Sequence, residues 1–461
     1  MEQRLSREVP LTFAAMRRGM LVVAALSFGA LALSSPAVAH DVIAVAVQGD
    51  PGPADPQLSF IDFDEPMVNG RGDVAFGGTL SNFNSGIYFK SADGPLEKIA
   101  QGGDQVFGGS GTLTSGFDGP ALNNSSKGAG TVIFATNSIA GSGPTAALFQ
   151  KKPGSPLTAL VKQGDPVPGK HGVFDFFDDM AINNRGDVAF NAGYIENTIP
   201  KFGVFLRTAT GKLVAILLDG AKLPIAGCPK CKYDGTQPYG AEGPWVNDRG
   251  LVAFGVTSVV GGPTCIDPEN NSPESCFDGS VFARRGTGSI LPFVVIGDSL
   301  PSSIGGKVET VGLGRPALDV DDGEDDLTFL LNGSMIVSKQ LGSKKLDVCA
   351  KTGDSAAGAD GTLAGFSVPT VSHEVIEFNA ELEGNPDPAI TNGIFACKGG
   401  SVTTLVAQTD PNPRGGEFAY FEEGSIGAPF AVFLHELTDA PDPNADFDTS
   451  AEGVYRVEGD N

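Results

Sequence analysis

One phrase recurs along this chain and limits its fold more than any other feature. It reads Asn69-Gly70-Arg71-Gly72-Asp73-Val74-Ala75-Phe76, then Asn183-Asn184-Arg185-Gly186-Asp187-Val188-Ala189-Phe190, then Asn247-Asp248-Arg249-Gly250-Leu251-Val252-Ala253-Phe254. Weaker copies end at Phe134, Phe329, Phe378 and Phe433, so successive phenylalanines stand 58, 56, 64, 75, 49 and 55 residues apart. Self-similarity at this period marks an architecture in which each unit buries its apolar face against the next. Seven units result.

Each unit holds further strand-like runs. A short apolar stretch precedes the Asn, as in Met67-Val68, Ala181-Ile182 and Trp245-Val246. A third run follows the Phe, as in Gly86-Ile87-Tyr88-Phe89, and then an apolar alternation ending in Gly-Asp, as in Lys98 to Asp104 and Leu160 to Asp165. Four short strands joined by Gly, Asn and Asp turns make one blade of a β-propeller. The seventh unit stops at Gly453-Val454-Tyr455-Arg456-Val457 without its Gly-Asp strand, whereas the chain opens with one, Asp41 to Asp50. Pairing that strand into the last unit would close the ring and remove its exposed edges. The expectation is all-β: a seven-bladed β-propeller over residues 40–461, closed by its N-terminal strand.

The arrangement resembles the exported tandem-repeat proteins named for an NxxGxxAF motif, the choice-of-anchor type. The matching residues are Asn69, Gly72, Ala75 and Phe76 with their counterparts at Asn183 to Phe190 and Asn247 to Phe254, and the likeness covers nearly the whole mature chain. It implies the propeller-like architecture and an exported location, and it brings no activity with it. Anchored members carry a C-terminal tether; this chain ends at Gly459-Asp460-Asn461 without an apolar tail, so a secreted or periplasmic protein is expected.

Residues 1–39 read as a signal peptide. Arg17 and Arg18 precede the apolar run Met20 to Leu33 and then Ser34-Ser35-Pro36-Ala37-Val38-Ala39, with cleavage expected after Ala39. The run is too short to cross a bilayer, so no membrane insertion is expected. A formal charge of −24 argues against nucleic acid as partner, because phosphate binding needs a basic face. Export also favours disulfides. The six cysteines suggest three sequential pairs: Cys228 with Cys231, Cys265 with Cys276, and Cys349 with Cys397. Zinc on the first four is the alternative, though a second tight CxxC is missing.

Candidate sites divide into structural and functional readings. The repeat motif suits a tight turn that fills the space between blades, and this also accounts for the two Arg-Gly-Asp strings. Two places before each innermost strand stand Asp64, Asp118, Asp178 and Glu242, which would ring one mouth of the channel as an acidic funnel. Such a ring suits calcium or a cationic ligand, while acids equally suit turns and solvent. Arg315 takes nearly the same place in the fifth unit, either offsetting the acids or holding a carboxylate. The densest acidic turn contains Asp319, Asp321, Asp322 and Asp325, a second candidate calcium site without EF-hand spacing. His373 and His435 lack any HExxH or GxSxG context, and no catalytic residue is assigned.

Three functions follow in order. First is a non-catalytic binding or interaction propeller for a protein or glycan ligand, since a rigid ring with variable loops needs no catalytic motif. Second is an enzyme acting on extracellular polysaccharide, and third a structural surface protein. The insertions at Ile225 to Tyr239 and Gly261 to Phe277 are expected to project from the fourth unit as recognition loops.

Overall fold

The computed structural model describes residues 40–459, apart from 125–129, 238–239, 267–272, 316, 320–324, 386–390, 409, 416 and 438–450. The proposed signal peptide lies outside the described residues. So do Pro316, Asp321, Asp322 and the last two residues of the chain.

The chain is all-β. Among the described residues, the strands form seven successive antiparallel sheets of four or five strands, each built from one sequence repeat. The first sheet shows the pattern: an inner strand Phe60–Val68, then Val74–Leu80, Ser85–Lys90 and Leu96–Gln101 in meander order. Inner strands of the later sheets are Phe117–Leu122, Gly172–Ile182, Ala241–Val246, Val311–Gly312, Thr362–Phe366 and Phe418–Gly427. The seventh sheet draws its fourth strand from the other end of the chain: Val42–Val47 pairs antiparallel with Ala451–Glu458. The same Gly-Asp phrase does the same work there as elsewhere. Asp50 accepts the Val47 N–H at 3.1 Å, as Asp104, Asp165, Asp354 and Asp410 accept the N–H three residues before them.

The repeated phenylalanines explain the sheet packing. Phe76, Phe134, Phe190, Phe254, Phe329 and Phe433 are fully buried, and five of the seven repeat phenylalanines stack on an aromatic ring of the third strand, such as Tyr88, Phe149 or Tyr455. Apolar clusters then join each sheet to the next, from first and second through to sixth and seventh. A further cluster joins the seventh back to the first through Val45, Phe60, Val74, Val432 and Val454. Each cluster removes apolar surface of both sheets from water, the main favourable term in folding.

The motif Asn holds the turns together. Its Oδ1 accepts the N–H groups two and four residues later: Arg71 and Asp73 in the first unit, Arg185 and Asp187 in the third, Arg249 and Leu251 in the fourth. Its Nδ2 donates to the next unit: Asn69 to the Asn123 carbonyl, Asn123 to that of Asn183, and Asn183 to that of Asn247. Asp73 and Asp187 are buried beside these clasps and cap the third-to-fourth-strand turn by accepting the Ala92 and Ala209 N–H groups. Buried in this way, neither Arg-Gly-Asp string offers its aspartate to a partner.

The three sequential cysteine pairs are disulfides. Cys349–Cys397 links the outer strand of the fifth sheet to the third strand of the sixth. The fourth-unit insertion expected to project does not. Ile225, Cys228, Cys231 and Tyr233 are buried in the cluster between the third and fourth sheets, because their apolar side chains cover its open end. Cys265 of the second insertion is exposed, on the short hairpin that Cys265–Cys276 closes.

Candidate functional site

The bulges of the inner strands determine what the centre presents. In the first four sheets the register breaks between Asp64 and Met67, Asp118 and Ala121, Phe177 and Met180, and Glu242 and Trp245. A bulge re-aims the side chains that follow it. After each break the strands line a central cavity of about 310 Å³, which takes residues from all seven units. The lining is largely apolar and includes Met67, Met180, Ile182, Trp245, Val371 and Ile426. Trp245 is held by its indole N–H, which donates to the Gly314 carbonyl at 2.8 Å.

Of the four acids of the expected funnel, Asp64, Asp118 and Glu242 are the last paired residues before these breaks and Asp178 is inside the third, and none is among the lining residues. Asp64 and Glu242 face glycines of the neighbouring strand, Gly77 and Gly255, and both are exposed. Glu242 keeps contact with water, yet the protein crowded around it pushes its carboxyl above the ordinary value. Asp118 accepts from Asn137 Nδ2 at 3.0 Å and so orients an amide that bridges to Phe177 of the next sheet. Asp178 is beside a small crevice between the third and fourth sheets. Among the described residues, no three His, Cys, Asp or Glu side chains gather to hold a metal ion.

Arg315 does line the cavity, and its guanidinium is paired with Asp179, the neighbour of Asp178. The pair joins the third unit to the fifth and bypasses the fourth. The acidic turn of the fifth unit is split. Asp319 is buried and accepts the His373 and Glu374 N–H groups of the sixth unit at 3.2 and 2.9 Å. Asp325 turns the other way, to Arg285 at 2.9 Å and Asn247 at 3.0 Å in the fourth. The two therefore serve opposite junctions and do not share a site. His373 is in an exposed turn with positive φ, whereas His435 is buried among Phe418, Phe421 and Tyr455.

The residue that sequence reasoning missed is Glu377. It lines the cavity, is 2% exposed, and accepts from Thr370 Oγ1 at 3.0 Å. Burial pushes its carboxyl up to about 8, against a smaller opposing effect of the Thr370 hydroxyl. A carboxyl here stays protonated at neutral pH. The signal was present: Glu377 precedes Phe378 where the other units bury a small or apolar residue, Ala75, Ala189 and Ala253 in the strong copies and Ile133, Thr328 and Val432 in the weaker ones.

Fold and site together define an all-β protein whose central cavity carries, among the described residues, one buried carboxyl and one ion pair. A family model described as "Family of unknown function (DUF7453)" matches residues 13–235. No curated protein matches the sequence. Among solved structures, oligogalacturonate lyase from Vibrio parahaemolyticus is similar at 10% identity and a TM-score of 0.46, over 91% of this chain and 98% of that one. The GH74 xyloglucanase from Xanthomonas campestris matches at 12% identity and 0.39, over 87% and 55%. Aleuria aurantia lectin matches at 10% and 0.32, over 76% and 96%. No helix among the described residues is long and apolar enough to cross a membrane. The three disulfides fit an oxidising compartment.

Proposed function

We propose that this chain is an exported, closed seven-bladed β-propeller that acts as a binding module and takes its ligand in the central cavity. Closure is supported by the run of inter-sheet clusters that returns from the seventh sheet to the first, and by the strand Val42–Val47 in the last sheet. Export is supported by the signal-peptide pattern, the disulfides and the NxxGxxAF resemblance. The observation that carries the binding site is the convergence of all seven units on one mostly apolar cavity with a few polar groups, the usual make-up of a small-molecule pocket. Asp64, Asp118, Asp178 and Glu242, just before the lining segments, add negative potential near it.

An enzyme acting on extracellular polysaccharide is the second reading, favoured by Glu377 alone. A carboxyl kept protonated at neutral pH is what a general acid needs. Binding ranks first because no second catalytic group accompanies Glu377 in the described lining except Asp179, which Arg315 holds.

Trp245 is the only tryptophan of the chain and lines the cavity, so its emission reports occupancy. A screen of small metabolites and oligosaccharides read by that emission should yield a saturable ligand. Met67→Phe, which fills the cavity from the first sheet, should weaken it at least tenfold without changing the melting temperature. A ligand that binds Met67→Phe as well as the original protein would place binding elsewhere.

A further inference from the structure

Resting on that reading of the central cavity, we infer that its ligand is a small organic cation, an amine on an apolar body, that pairs with the carboxylate of Glu377. The titratable groups among the lining residues are Asp179, Arg315 and Glu377. Asp179 and Arg315 neutralise one another. An incoming anion therefore competes with Asp179 for Arg315, whereas a cation meets Glu377, which accepts from the Thr370 hydroxyl.

The rest of the lining points the same way. The turn amides that a neutral polyol would use are engaged between units: Asn69 and Asn123 donate to carbonyls of the next unit, and Asn184 to Asp248 at 3.2 Å. Asn379 likewise donates to the Phe421 carbonyl at 3.4 Å, and the larger part of the remaining surface is apolar, from Met67, Met180, Val371 and Ile426 with the indole of Trp245, beside Asn124 and the hydroxyls of Ser367 and Ser372. Such a wall suits the body of an amine, and an aromatic face attracts its charge. The net charge of −24 raises the local concentration of cations around the whole protein.

The proton balance follows from the buried carboxyl. The ligand arrives as an ammonium ion and keeps its proton. Glu377 arrives as the neutral acid, releases its proton to solvent, and pairs as carboxylate with the ammonium while the Thr370 hydroxyl continues to donate to Oε2. One proton leaves per ligand bound. Affinity should therefore rise about tenfold per pH unit while Glu377 is protonated in the free protein, up to about 8.

The test uses the purified protein with benzylamine, benzyl alcohol and benzoate, matched in size and followed by Trp245 emission and by calorimetry in two buffers of different ionisation enthalpy. Benzylamine should bind at least tenfold more tightly than either analogue, release about one proton, and bind about tenfold more tightly at pH 7.5 than at pH 6.5. Glu377→Gln should abolish both the proton release and the pH dependence. Thr370→Val, which keeps the carboxyl, should retain the proton release with weaker binding. Equal binding of the alcohol or of benzoate, or benzylamine binding without proton release, would overturn the cation while leaving the cavity as the site. If none of the three probes changes Trp245 emission, both the cation and the cavity reading fall.

Discussion

The first four units and the last three solve the same problem differently. Between the early units the same side chain recurs at every junction, the Asn that clamps its own turn and donates to the next unit. Between the later units each junction has its own device. Asp319 accepts from the sixth unit instead of donating, Asn379 reaches the Phe421 carbonyl at 3.4 Å, and Ser425 Oγ accepts the Val68 N–H at 2.9 Å where the last unit meets the first. Arg315 and Glu377 both come from the irregular part. The regular residues hold neighbouring sheets together, and the departures from regularity supply the ionisable groups of the cavity.

The largest expected effect tests the regular part. Asn183 is buried, with Oδ1 accepting two N–H groups and Nδ2 donating to Asp187 and the Asn247 carbonyl. Truncation leaves several buried partners unsatisfied at about 1–3 kcal/mol each before relaxation. Asn183→Ala should lower stability by about 4 kcal/mol in urea unfolding. Asp319→Ala frees the His373 and Glu374 N–H groups, in an exposed turn, and should cost about 2 kcal/mol. An equal or larger loss from Asp319→Ala would remove the distinction between the two parts.

The next effect tests the seam. A Cβ added to Gly427 would stand 2.5 Å from the Asn69 Cα and 2.6 Å from the Val68 carbonyl oxygen, both backbone atoms of the first unit. The backbone must move to admit it, so Gly427→Ala should cost about 3 kcal/mol. Gly220→Ala is the control. Its φ of +77° is strained for Ala, but a Cβ there meets nothing within 4 Å, and about 1 kcal/mol is expected. Were the seam open in solution, the seventh unit could draw away and Gly427→Ala would be as mild as its control.

Much of the fold was legible because the repeat places the same residue types at the same turns. The four-strand units and the N-terminal strand in the last sheet follow from that periodicity, and the three disulfides follow the sequential order of the six cysteines. The site was less legible, for two physical reasons. Sequence spacing placed Asp64, Asp118, Asp178 and Glu242 at the channel, but a bulge that begins beside each of them alters which side chains line it, and a bulge leaves little trace in composition. Clustering in sequence also suggested a shared site for Asp319 and Asp325, which a turn between two neighbouring sheets sends in opposite directions. Glu377 is harder to read from sequence because a lone acid inside a strand, in place of a small or apolar residue, does not stand out as acids clustered at turns do.

The smallest expected effect concerns that replacement. The Glu377 carboxyl rises to about 8 in the folded protein, from the 4.5 of an ordinary Glu. Between those values the native state keeps a proton that the unfolded chain releases, so stability falls as pH rises through that window. Below about 4.5 the whole contribution is present, and above about 8 the loss is complete. Glu377→Gln cannot titrate and still offers Thr370 an acceptor. Its stability relative to the original protein should therefore grow through that window, by about 2 kcal/mol between pH 5 and pH 6.5 in urea unfolding. The same change at Glu242, which is exposed, should leave a much flatter difference. A flat profile for Glu377→Gln would mean that water reaches the carboxyl. The irregularity of the sixth unit would then be drift at a tolerant position, because only a carboxyl kept from water costs enough stability to need a ligand's compensation.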